Sequence, residues 1–251
     1  IDASVLRILR AKFQLGMFDN RYVSPDYAEK ISDCAAHRNL SLETARQSIV
    51  LLKNNGALPF SKKIKSIAVI GPNTAEARLG GYSSQGARTV SALEGIKNRA
   101  GKKIKINFAE GCKITDPSKK GFKNALLAAK KSDIAVLFVG NMPGNYRAES
   151  ATEGEHKDRC RLELSGAQEA LINEVGKTGK PVVVVLINGS VIMMKDWADK
   201  AGAIVEGWYP GEEGGNALAE VLFGDFNPGG KLPITFPLTT GQLPLYYNSK
   251  P

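Results

Sequence analysis

The segment 149–166, "ESATEGEHKDRCRLELSG", places Glu149, Glu153, Glu155, His156, Asp158 and Arg159 between an apolar run, "IAVLFVG", and a helical pattern, "AQEALINEV". Paired carboxyl groups in a partly dry cleft suit proton transfer, because burial and a neighbouring negative charge raise a carboxyl pKa toward neutrality. Glu153 and Glu155 are two residues apart. In an extended loop they face opposite ways, so only one of them points into a cleft. Asp158 and Arg159 are placed for a local ion pair that fixes the loop. A solvated loop is the competing reading, in which Arg147, Lys157, Arg159 and Arg161 pair with the glutamates for little gain.

Other chemistries find less support. Cys34, Cys112 and Cys160 show no C-x-x-C spacing, and His37 and His156 are far apart in sequence. No disulfide framework, metal site or cofactor is expected from them. The glycines of "IGPNTAEARLGGYSSQGARTV" follow a strand pattern but match neither phosphate-binding fingerprint. Ser190 in "NGSV" has no nearby histidine and no nucleophile elbow, which argues against an esterase. Glu212 and Glu213 precede a helical pattern and read as complements to its N-terminus. Trp208 and Tyr209, at a strand end, suit stacking on a sugar as well as core packing.

These groups need elements to hold them. "SIAVIGP", "KIKINFAEG", "DIAVLFVGN", "PVVVVLING", "AIVEGWYPG" and "LPITFP" are short apolar runs that end in Gly, Asn or Pro. Helical patterns such as "TVSALEGIKNRA" and "GGNALAEVLFG" lie between several of them. Continuous apolar strands alternating with amphipathic helices predict an α/β three-layer sandwich: a mostly parallel six-stranded sheet with helices on both faces. The strands are expected near residues 65–70, 104–108, 134–139, 182–187, 203–207 and 233–236. Residues 1–18 carry helical apolar spacing (Val5, Leu6, Ile8, Leu9, Phe13, Leu15), and residues 40–54 read as a second helix. Both are expected outside the sheet. Parallel sheets bind ligands beyond the C-terminal ends of their strands, which is where the Glu-rich loop falls.

The chain has 251 residues, 43% of them apolar, and a net charge of +9 from 34 basic and 25 acidic residues. Its lysine clusters, "SKKIK", "GKKIK" and "PSKKG", contain no interleaved aromatics, so nucleic acid is not an expected partner. A basic face can still attract an acidic polymer or an anionic surface. No apolar run reaches transmembrane length, so membrane insertion is not expected.

Taken together, "RILRAKFQLGMFDN", "RNLSLETARQSIVLLKNNGALPF", "IAVIGPN", "LGGYSS" with "TVSALEGI", "EGEHKDRCRLELSGAQEALI", "GKPVVVVLINGS", "AIVEGWYPGEEGGNALAEVLFGDFNPGGKLPITFP" and "GQLPLYYNSKP" resemble, in order, the C-terminal (α/β)6 sandwich domain of glycoside hydrolase family 3, the β-glucosidases and β-xylosidases. The resemblance implies residues 1–60 as the end of a preceding barrel plus linker helices, and residues 61–251 as the sandwich domain. It implies a retaining β-glycosidase acting on β-linked oligosaccharides. The nucleophile would come from an N-terminal (β/α)8 barrel absent from this sequence, and no cofactor is needed. The family's acid/base often precedes a "DR" pair by three residues. Glu155 fits that spacing, and Glu153 is the alternative acid/base or a support. Asp158, Arg159 and Tyr82 are implied on the substrate-binding side. Ser165 and Val191 depart from the family pattern, where proline is usual. Family members of this kind are commonly periplasmic or secreted. A non-catalytic carbohydrate-binding or structural module, and an autonomous enzyme using another pair of acids, remain alternatives.

Overall fold

The computed structural model describes residues 1–83, 88–144 and 150–248. The chain divides into two compact units, Ile1–Leu40 and Ser41–Pro251. In the first, α1 (Asp2–Gln14) buries none of its residues, and α2 (Pro25–Ser32) starts where the Ser24 hydroxyl accepts from the Tyr27 amide. Proline at the first helical position costs nothing, since that N–H would have no partner. The expected apolar face is exposed: Leu6, Leu9, Phe13 and Phe18 all face solvent. Helix α3 (Ala35–Ser48) leads into the second unit.

There the strands are β1 (Val50–Asn54), β2 (Ser66–Ile70), β3 (Lys105–Ala109), β4 (Ile134–Gly140), the two-residue strands β5 (Pro143–Gly144) and β6 (Glu153–Gly154), β7 (Val182–Ile187) and β8 (Ala203–Glu206). The intervening helices are α4 (Ala92–Ala100), α5 (Phe122–Lys130), α6 (Gln168–Gly176) and α7 (Gly214–Phe223). The main sheet has six strands in the order β1-β8-β7-β4-β2-β3, parallel except for β1 against β8. Its central strands are buried on both faces. Ala135, Leu137 and Val139 of β4 pack with α5 and α6, while Ile134, Val136 and Phe138 pack with α4 and α7. This alternation needs apolar residues at every position, which explains the unbroken run. The "VVVVLI" strand lies between β8 and β4, buried at every position.

Two expectations about the sheet are corrected. The sixth strand is β1, not residues 233–236, which form neither helix nor strand. The helix expected over 40–54 stops at Ser48, and residues 50–54 turn into the sheet edge. Short apolar runs such as "IVLLK" do not reveal their own period, and here pairing with β8 decided it. Because β1 occupies the edge beside β8, "PITF" finds no open edge there, and Pro233 has no N–H to give a ladder.

Candidate active site

Strands β4, β7 and β8 are neighbours, and the residues beyond their C-terminal ends converge on Glu153. Asn141 follows β4. Gly189 and Ser190 follow β7. Tyr209 follows β8. Glu153 arrives on β6, which pairs with β5 through Pro143↔Glu153 and Gly144↔Gly154 and so closes the base of the loop. Gly154 has φ 119°, and a Cβ there would lie 1.9 Å from the Gly144 carbonyl oxygen. No other residue fits at that crossing.

Glu153 is 5% exposed. Its Oε1 accepts from the Gly189 amide and the Tyr209 hydroxyl, and its Oε2 accepts from Asn141 Nδ2 and the Ser190 hydroxyl. A carboxylate offers about four acceptor sites, and all are taken. Arg159 stands 4.0 Å from Oε2, and its guanidinium also donates to Ser190 Oγ, the Val191 carbonyl and the Glu163 carbonyl. Burial pulls the Arg159 pKa below its ordinary value, with Glu153 opposing that shift. Burial and then the bond to Glu153 push the Tyr209 phenol well above its usual range.

A second carboxyl lies in the same buried cluster. Glu206, the last residue of β8, is fully buried. It accepts from the Trp208 amide at 2.8 Å and from Asn188 Nδ2 at 3.2 Å. Burial raises its pKa to about 8, and the charge of Glu153 adds to the shift. Trp208 takes a left-handed backbone, φ 56°, and sets its ring edge-on to Phe236 at 6.1 Å.

The expected site residues therefore separate. Glu153 points inward, and Glu155, two residues on, is exposed. Asp158 is exposed as well, and the expected Asp158–Arg159 pair does not form: Arg159 turns inward to Glu153. Tyr82 is 73% exposed. Glu149 and Arg147 lie outside the described residues. Glu213 precedes α7 without a side-chain cap, and its carboxylate accepts from Asn216. Among the described residues no three His, Cys, Asp or Glu side chains converge as metal ligands. Sequence reasoning missed Asn141, Asn188 and Glu206. Each ends or directly follows an apolar run, in "FVGN", "LING" and "AIVE", at the strand end where a parallel sheet gathers its functional groups.

Known proteins resemble this chain in sequence and fold. Residues 49–251 match the glycosyl hydrolase family 3 C-terminal domain. A β-xylosidase of Formosa agariphila is 45% identical over 100% of this chain and 35% of its own length. A periplasmic β-glucosidase of Salmonella typhimurium is 36% identical over 99% of this chain and 35% of its own length. A β-glucosidase structure from Erythrobacter marinus has a TM-score of 0.89 at 36% identity, covering 98% of this chain and 36% of that one. A β-glucosidase from Listeria innocua in complex with glucose gives 0.86 at 32%, covering 99% and 33%. The chain thus spans about a third of the length of the relatives it matches. With 45% identity across its whole length and a family match from residue 49 onward, the chain belongs to glycoside hydrolase family 3, as its C-terminal domain.

Proposed function

We propose that this chain is the part of a retaining β-glucosidase or β-xylosidase that carries the general acid/base, and that Glu155 is that residue. The observation that carries the assignment is the saturation of Glu153. An acid that protonates a leaving oxygen needs an O–H aimed at the substrate. Every acceptor site of Glu153 is turned to the protein's own donors. Glu155 is exposed on the same anchored loop, beyond Gly154. Glu153 is then the support, and Arg159 holds that support rather than substrate. Asp158 and Tyr82, both exposed at the same end of the sheet, remain on the proposed substrate side.

Retaining hydrolysis needs two carboxyl groups about 5 Å apart across the glycosidic bond. One attacks the anomeric carbon while the other protonates the departing oxygen, then takes a proton from the incoming water. The attacking carboxylate would come from a (β/α)8 barrel not contained in these residues, with the residues before β1 forming its end and the linker. The exposed apolar face of α1 supports that partner. The substrates are β-linked glucosides or xylosides, as the names of the relatives suggest. One relative is named as periplasmic, and action outside the cytoplasm is proposed here too. No helix among the described residues is long and apolar enough to cross a membrane.

The test uses the chain joined to its barrel, with aryl β-glucosides and β-xylosides of graded leaving-group quality. Glu155→Gln should lower turnover of poor leaving groups by on the order of a hundredfold to ten-thousandfold, and activated ones much less. Azide, which needs no base, should restore turnover of activated substrates by Glu155→Ala. The same pattern at Glu153 instead would reverse the two roles. Its absence at both would end the acid/base reading of this loop.

A further inference from the structure

The lysines of the second unit are not spread evenly. One group of them lies at the end of the sheet opposite the candidate site, in the segments that enter the strands. Four adjacent strands, β7-β4-β2-β3, are each entered past or through a lysine: Lys180, Lys131, Lys65 and Lys105. Neighbouring strands lie about 4.8 Å apart, so these ammonium groups stem from a row along one edge. Register places Ser66 beside Lys105. Beyond the β2–β3 end of the row, Lys62, Lys102 and Lys103 rim a cleft of about 810 Å³ whose walls include Phe60, Ile64 and Phe223.

The acids at this end cancel only part of the charge. Asp133 spends one carboxylate oxygen on the Lys65 and Ser66 amides and the Ser66 hydroxyl, and its charge acts on Lys180. Asp225 is taken by Arg99, Glu174 by Lys177 and Asp199 by Lys200. Among the described residues, none of Lys62, Lys65, Lys102, Lys103, Lys105, Lys131 or Lys180 makes a salt bridge. Unpaired positive charge on a connected surface raises the local concentration of polyanions.

We propose that this strand-entry edge docks an acidic polysaccharide, a sugar polymer bearing carboxylate or sulfate groups, and so holds the enzyme on its substrate's matrix. That the polymer is a carbohydrate rests on the glycosidase reading above. The charge pattern itself favours this partner over two others. A nucleic acid would call for exposed aromatics between the cations, for bases to stack on, and this edge has none. A membrane surface would be served by large apolar side chains to insert, and none in the strand-entry segments 61–66, 102–105, 129–133 or 177–181 is exposed. Lysines on flexible stems suit anionic groups spaced irregularly along a chain. Strands of this length are about 15–20 Å long, so a polymer held here leaves the catalytic end open.

The experiment measures retention of the full-length protein in gels containing polygalacturonate, dextran sulfate or neutral xylan, with DNA and phosphatidylglycerol vesicles as competitors. The variant Lys65→Ser/Lys105→Ser/Lys131→Ser/Lys180→Ser is compared with Lys12→Ser/Lys30→Ser/Lys195→Ser/Lys231→Ser, which removes the same charge elsewhere. The edge variant should lose affinity for the two acidic polymers by on the order of tenfold and show a shallower salt dependence. The control variant should stay close to the parent, and neutral xylan should bind neither. Retention on only one acidic polymer supports the proposal and identifies the anionic group. Equal losses in both variants, or no loss in either, overturn it. Stronger binding to DNA or vesicles through the same lysines overturns the assigned partner. Hydrolysis of small aryl glycosides depends on the opposite end and should be unchanged in the edge variant. Polymer binding without any such hydrolysis would sink the glycosidase reading alone.

Discussion

Replacing Glu206 with glutamine should change how stability depends on pH more than any other single substitution at the strand ends. In the folded protein Glu206 holds its proton up to about pH 8, against an ordinary value of 4.5. The unfolded chain therefore releases a proton between these limits that the folded chain keeps. Stability then falls as pH rises across that window, by about 1.4 kcal/mol per pH unit, and is flat beyond it. Over the whole window the loss is about 5 kcal/mol, an order-of-magnitude figure. The groups facing Glu206 are the Trp208 amide, the Asn188 amide and the charge of Glu153, and only the last of these disfavours ionisation. Glutamine keeps the shape and stays neutral throughout. The variant should melt close to the parent at pH 5. It should outlast the parent by roughly 10 °C at pH 8, since 1 kcal/mol moves the melting point of a chain this size by about 2–4 °C. Both tryptophans, Trp197 and Trp208, lie in the second unit, so intrinsic fluorescence reports its unfolding. Two melting curves that keep a constant offset from pH 5 to pH 8 would refute the reasoning, because Glu206 would then ionise in place without cost.

Four further outcomes follow from the same geometry. Tyr209→Phe removes one of the donors to Glu153 and should cost about 1–3 kcal/mol in urea unfolding, with aryl glycoside turnover falling as the loop loosens. Arg159→Met leaves the buried Glu153 without its cation and should cost about 3–5 kcal/mol in the same assay. Gly154→Ala forces a Cβ into the Gly144 carbonyl at positive φ, so the β5–β6 pairing should break, read as lost turnover and faster proteolysis of the loop. The exposed α1 face should drive concentration-dependent association of the isolated chain in light scattering, and Leu6→Gln/Phe13→Gln should abolish it. A chain monomeric at all concentrations would count against a docking role for that face.

The parallel core was legible because a strand buried on both faces must be apolar at every position, and "IAVLFVG" and "PVVVVLI" are. The antiparallel edge strand was not. "VLLKN" continues the helical spacing before it, and only its partner β8 makes it a strand. "PITF" has strand composition, but composition cannot show that the edge it needs is already occupied. At the site, the spacing of Glu153 and Glu155 correctly implied opposite directions, and chain periodicity carried that much. Which of the two faced inward depended on Asn141, Ser190 and Tyr209, which come from three separate strand ends. No local pattern links residues so far apart in sequence. Glu206 was hidden by its own setting, since a lone acid closing an apolar run looks like the first residue of a loop.

The proposed acid, serving a site completed by another domain, would face a mechanical problem: it must stay exposed, yet keep its position to within a fraction of an ångström. Exposed side chains on loops rarely do both. Here the position is fixed one step away. Glu153 takes its donors from the ends of β4, β7 and β8, so the loop is referenced to the most buried strands of the sheet. Gly154 crosses Gly144 too closely for any other residue, and His156 adds a second left-handed turn at φ 60°. Between those two left-handed positions stands Glu155. The segment between β5 and β6 can then differ in length among relatives without displacing the proposed acid, because the pairing at its base sets the exit direction. Inserting two residues between Gly144 and Ser150 should therefore leave hydrolysis of aryl glycosides with poor leaving groups within a few-fold of the parent, while Glu153→Gln should depress it although no reacting group was touched. An insertion as damaging as Glu153→Gln would place the positioning information in the loop itself, and the anchor at the strand ends would lose its role.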